Sequence, residues 1–128
     1  MDGNMEELKI EEVTFTFIDV ETTGLSPRTA RVCEIAAVSA RGGERVAELA
    51  ELVNPGCPIP PATTNVHGIT DEMVRGKPGF GCVAPRLLSM MENSVVVAHN
   101  AGFDLGFIGM ELERVGLKLP KTHVMDTL

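Results

Sequence analysis

The chain has no tryptophan and no tyrosine, so any stacking against bases falls to five phenylalanines and three histidines. Cysteine is sparse too: Cys33, Cys57 and Cys82 are odd in number and form no C-x-x-C pair. That spacing argues against a disulfide framework and a zinc knuckle, and leaves the thiols as small apolar filler. No apolar run approaches the roughly 20 residues that a membrane span requires, so no membrane partner is expected. The start of the chain carries acids and lacks an apolar h-region, unlike a secretory signal, and the expected location is the cytoplasm. Positive charge is also short: 11 Lys and Arg against 18 Asp and Glu give a formal net charge of −7. A pure nucleic-acid-binding module needs a Lys/Arg surface to neutralise phosphates, and this balance counts against one. It does not count against a protein whose acids hold cations, because bound metals reverse the local field.

What is present suits one globular domain. A chain of 128 residues with 44% hydrophobic content can bury about two thirds of its unfolded surface. Residues 1–10 read as an N-terminal tail and 11–128 as the domain. Val13, Phe15 and Phe17 alternate with Thr14, Thr16 and Ile18, the pattern of a strand with both faces at least partly buried. A turn over 24–29, a strand over 31–40, a hairpin turn at 41–44 and a strand over 45–53 follow. The four prolines of 54–61 read as a rigid loop, and Thr70 as the cap of a short helix. Residues 80–91 fit a helix, and 94–98 fit a short strand in the middle of a covered sheet. Asn100 can cap a helix running to about residue 115, before a final strand. Three strands followed by alternating helix and strand predict an α/β fold, a mixed sheet with flanking helices.

Two clusters could do chemistry. Side chains two apart on a strand share a face, so Asp19 and Glu21 emerge together with Cα atoms roughly 6.5 Å apart. Adjacent carboxylates raise one another's pKa unless a cation lies between them, and Mg²⁺ takes oxygen ligands in this manner. A solvated strand end that happens to carry two acids fits the spacing equally well. The second cluster is His99, Asn100 and Asp104, at the junction of a buried strand and a helix. Singly, Asp104 complements a helix dipole, Asn100 is a plain cap and His99 a hydrogen-bonded histidine. Together they place a third carboxylate at the C-terminal edge of a sheet, where open α/β folds put their sites.

The segment F-I-D-V-E-T-T-G-L resembles the first motif of the DnaQ-like (DEDDh) 3′–5′ exonucleases, and V-A-H-N-A-G-F-D-L-G-F-I resembles the second. Residues 54–74, with H-G-I-T, resemble the connecting segment of bacterial proofreading exonucleases, and the closing M-D-T-L the strand that follows there. The likeness covers about residues 14–128. It implies a ribonuclease H-like fold and a site for two divalent ions, Mg²⁺ or Mn²⁺. Asp19 would bridge them, Glu21 would hold the ion carrying the attacking water, and Asp104 would hold the other. Thr22, Thr23 and Gly24 would contact the terminal nucleotide, and His67 and Asn100 would approach it. The implied substrate is a single-stranded DNA 3′ end, with RNA left open, and the implied partner a DNA polymerase subunit. The alternative is a non-catalytic exonuclease-like module that binds a polymerase or another partner.

The family's third motif, a histidine base and a fourth carboxylate, normally lies several tens of residues beyond D-T-L. The chain is therefore expected to be C-terminally incomplete and weakly active or inactive. His123 and Asp126 are poor substitutes, since positions three apart on a strand face opposite sides. The missing segment also predicts exposure of Phe15 and Phe17, or their opposite-face neighbours, and of Phe107 and Ile108.

Overall fold

The structure, a computed structural model, describes residues 10–128. A 3₁₀ turn, Ile10–Glu12, leads into β1 (Thr14–Thr22), β2 (Val32–Arg41) and β3 (Glu44–Leu52). Helices α1 (Pro61–His67), α2 (Asp71–Val74) and α3 (Phe80–Met91) follow, then β4 (Val95–Ala98), α4 (Ala101–Arg114) and β5 (His123–Asp126). The strands form one mixed sheet in the order β3-β2-β1-β4-β5. β1, β2 and β3 pair antiparallel, whereas β4 runs parallel to β1 and β5 parallel to β4. The expected fold class is the one observed. Most of the tail expected over 1–10 lies outside the described residues, and none of the described helices is long and apolar enough to cross a membrane.

The two faces of the sheet differ. Thr16, Ile18, Val20 and Thr22 are buried beneath α3 and α4, whose Phe80, Leu87, Met91, Phe107, Ile108 and Leu112 complete the main core with Ile35 and Leu49. Thr16 is accommodated there because its hydroxyl pairs with Ser39 at 2.8 Å and donates to the Met90 carbonyl at 2.9 Å. The opposite face is covered chiefly at the start of β2, where Cys33, Ile59, Ile69 and Val74 form a small second core beneath α1 and α2. Elsewhere it is open: Phe17 is 49% exposed and Met125 48%. The reading of β1 as at least partly buried on both faces therefore holds at Phe15, which is half-buried, and fails at Phe17.

Phe107 and Ile108, expected to be exposed, are fully buried. They lie on the same inward stripe of α4 as Ala101, Asp104, Glu111 and Leu112, and that stripe packs on the sheet. The loop read over 54–61 ends one residue early, since Pro61 opens helix α1, which ends at Gly68 with φ 81°. Proline at the start and glycine just past the end are helix punctuation. Between Glu21 and Thr22 the β1–β2 register slips by one residue, a bulge at the acidic end of the strand.

Candidate active site

Strand parity places Asp19 and Glu21 on the open face of β1, Asp19 exposed and Glu21 half-buried. Glu34 is directly opposite Glu21 across the antiparallel ladder, a like-charge neighbour. Asp104 arrives from the other side: helix α4 starts just beyond β4 and turns this carboxylate inward, to 4% exposure. Its Oδ2 is buried with no hydrogen-bond partner among the described residues. Burial, then the charges of Asp19, Glu21 and Asp126, push its pKa up from 3.8 to about 7. Glu21 is raised by burial and by Asp19. None of the ion pairs among the described residues reaches Asp19, Glu21 or Asp104.

These carboxylates influence one another without closing on a point. Among the described residues no three His, Cys, Asp or Glu side chains are grouped closely enough to hold an ion as they stand. The donor set is all oxygen, one of the oxygens is buried and orphaned, and among the described residues no cation is paired with it. That is a fit to a hard divalent ion.

The loop after β1 is tied down by its own chain. The Thr22 hydroxyl donates to the Gly24 carbonyl at 2.6 Å, and the Thr23 hydroxyl accepts the Arg31 N–H at 3.0 Å. The Thr23 carbonyl accepts from the Thr63 hydroxyl at 3.3 Å. His67 Nδ1 accepts the Ile69 N–H at 3.1 Å, so Nε2 carries the proton and donates to the Thr22 carbonyl at 3.0 Å. Gly24 has a packing reason: a Cβ there would lie 3.2 Å from that of Ala30. A cavity of about 330 Å³ opens beside Glu21, walled by Gly24, Leu25, Thr63, Val66, His67 and Phe103. Leu25 and Val66 are 87% and 85% exposed, an unusual cost for apolar side chains unless something covers them.

Asn100 and His99 lie at the far edge, both exposed. Asn100 has φ 71°, a left-handed conformation that asparagine tolerates, and its side chain makes no cap bond. The cap comes instead from Asp126 on β5, which accepts the Asn100 N–H at 3.1 Å and the Leu128 N–H at 2.9 Å. Those bonds lower the Asp126 pKa. In register, His123 pairs with Val95 and Asp126 with Ala98, so the two face opposite sides, as their spacing predicts. Sequence reading missed Glu34, Phe103, the capping role of Asp126 and the Arg31–Glu111 pair. An acid in phase with Phe107, Ile108 and Leu112 on an apolar stripe was the signal for Glu111.

Residues 16–128 match the RNase_T family, described as exonucleases. The chain is 41% identical over 128 residues to a PolC-type DNA polymerase III of Clostridium perfringens, and 38% over 125 residues to that of Listeria monocytogenes. These alignments cover 100% and 98% of this chain but 9% of each relative. A solved structure of Exonuclease X in complex with 5′ overhanging duplex DNA is 32% identical, with TM-score 0.65, covering 88% of this chain and 59% of that one. Product-bound Exonuclease I superposes with TM-score 0.82 at 21% identity, over 91% of this chain and 30% of that one, a likeness of fold alone. With the mixed sheet of the ribonuclease H-like exonucleases and a family match that runs through both acidic motifs, this chain belongs to the DnaQ-like exonuclease family.

Proposed function

We propose that the chain is a proofreading-type 3′–5′ exonuclease domain, releasing nucleoside monophosphates from a single-stranded 3′ end. The observation that carries this reading is Asp104: a buried, orphaned carboxyl whose pKa is pushed up to about 7, first by burial and then by Asp19 and Glu21. In this reading Asp19, Glu21 and Asp104 hold two divalent ions, Mg²⁺ or Mn²⁺. When bound, such ions polarise the phosphoryl oxygens and neutralise charge that develops during in-line displacement. The chain's own residues do the positioning. The terminal base enters the cavity between Leu25, Val66 and Phe103, where apolar contact suits any base. Gly24 lets backbone approach the terminal sugar. His67, with both ring nitrogens on backbone partners, holds the loop beside the nucleotide. Asn100 borders the opposite edge.

Of the three histidines, His67 is committed to the loop, His123 lies on the open face, and His99 hydrogen-bonds Thr127 at 3.3 Å. None is bonded to a site carboxylate, so hydrolysis by these residues alone is expected to be slow, since general-base help is worth about 10²–10⁴-fold. The test uses 5′-labelled single-stranded DNA and RNA with Mg²⁺ or Mn²⁺. Stepwise shortening that a 3′-phosphate blocks and Asp19→Ala abolishes supports the reading. Shortening from the 5′ end, or activity that survives Asp19→Ala, contradicts it.

The exposed Phe17 and Met125 favour a second reading, an exonuclease-like module whose open face joins a polymerase or another partner. No cleavage in single-turnover assays, with Mn²⁺ binding intact, would favour it.

A further inference from the structure

Arg31 and Glu111 lie outside the acidic edge, yet they join its two halves; their assignment rests on the exonuclease reading above. Glu111 is buried to 1% exposure, where a carboxylate needs partners. Arg31 Nε donates to its Oε1 and Oε2 at 3.1 and 3.0 Å, and Nη2 to Oε1 at 2.8 Å. The Val32 N–H donates to Oε2 at 2.8 Å. This forked, charge-assisted arrangement fixes orientation as well as distance.

The geometry connects the site's elements through that one carboxylate. Val32 is the register partner of Thr22, the residue after Glu21. Arg31 also closes the loop through its backbone, since its carbonyl accepts the Thr23 N–H at 2.9 Å. On the helix, Glu111 follows Asp104 by two turns on the same buried face, about 10.5 Å along the axis. Arg114, one turn further, donates to the Pro27 carbonyl at 3.0 Å. Helix α4 is therefore tied to the start of β2, the strand paired with β1, and shifting it there breaks the Arg31–Glu111 fork.

We propose that Arg31 and Glu111 are positioning residues that set where Asp104 lies relative to Asp19 and Glu21, and so tune divalent-ion affinity. The alternative is an ion pair that holds the fold and nothing more. Two readouts on the full chain separate them: Mn²⁺ affinity by calorimetry, and amide exchange at Thr23 and Asp104 without metal. The control is Val83→Ala, a core change on α3 remote from the pair, compared at equal distance below each variant's Tm. Glu111→Gln is expected to weaken Mn²⁺ binding by about tenfold or more, the scale for groups that orient metal ligands. It should also speed exchange at Thr23 and Asp104 together. Arg31→Lys, which keeps charge but loses the fork, should have the same effect in milder form. Val83→Ala should change neither readout. Wild-type Mn²⁺ affinity in Glu111→Gln, or a loss that Val83→Ala matches, overturns the proposal. Should the wild-type chain bind no Mn²⁺, the exonuclease reading fails, and exchange alone decides the positioning. Coupled loosening at Thr23 and Asp104 sustains it, and unchanged protection there sinks it.

Discussion

The two faces of β1 hold different duties on one nine-residue strand. Thr16, Ile18, Val20 and Thr22 are buried under α3 and α4 and contribute to the fold. Phe15, Phe17, Asp19 and Glu21 alternate with them on the open face, and the last two carry the candidate chemistry. A strand can do both because its side-chain period is two, so a substitution on one face leaves the other in place. Asp19 is tolerable there because it is exposed, and Glu21 because it is only half-buried. Asp104 is the exception: it comes from the covered side, through α4, and is the site acid most strained by burial.

Mutations should separate these duties. The largest effect is expected from Asp19→Ala or Glu21→Ala, measured as mononucleotide release. Removing groups that merely orient metal ligands costs about 10–100-fold, and loss of a ligand should exceed that. Thermal stability should hold or rise, since one of several repelling charges is gone. Ile18→Ala, one residue away on the covered face, should do the reverse. It should cost about 2–5 kcal/mol in denaturant unfolding. Loss of activity in Ile18→Ala at a temperature where it remains folded would blur the distinction.

Next in size is a pH effect that belongs to Asp104. The folded chain holds this proton up to about pH 7, whereas the unfolded chain releases it near 3.8. Between those values the folded state binds more protons, so stability falls as pH rises, by at most about 1.4 kcal/mol per unit. Above about 7 the penalty is complete. Asp104→Asn should flatten that slope, and Mn²⁺ should raise Tm more at pH 8 than at pH 5. Equal Tm gains at both pH values would contradict the assignment of the buried acid to the metal site.

The smallest effect is expected on the open apolar patch. Phe17→Thr should change stability by less than about 1 kcal/mol, as an exposed position does. It should reduce any concentration-dependent self-association seen by sedimentation. A large stability loss would show that the face is covered in solution.

Much of this was legible in the sequence because it depended on local period. The alternation in β1 placed Asp19 and Glu21 on one face, and the apolar stretch over 80–91 coincides with α3. The two acidic motifs carried the family. What escaped reading depended on long-range packing or on punctuation without periodicity. Helix α1 has no apolar stripe, only Pro61 and Gly68 at its ends. Phe107 and Ile108 were expected outward on the ground of a missing covering segment, whereas α4 turns that apolar stripe onto the sheet itself. The Arg31–Glu111 fork joins residues 80 positions apart, and the cap from Asp126 replaces an asparagine that read as sufficient by itself.

Whether Asp19, Glu21 and Asp104 together hold divalent ions is tested by a Mn²⁺ titration in a calorimeter at pH 8. Saturable binding to the wild-type chain is expected, with loss of that binding in Asp19→Ala, Glu21→Ala and Asp104→Asn alike. Equal Mn²⁺ affinity in the wild type and Asp19→Ala would contradict it.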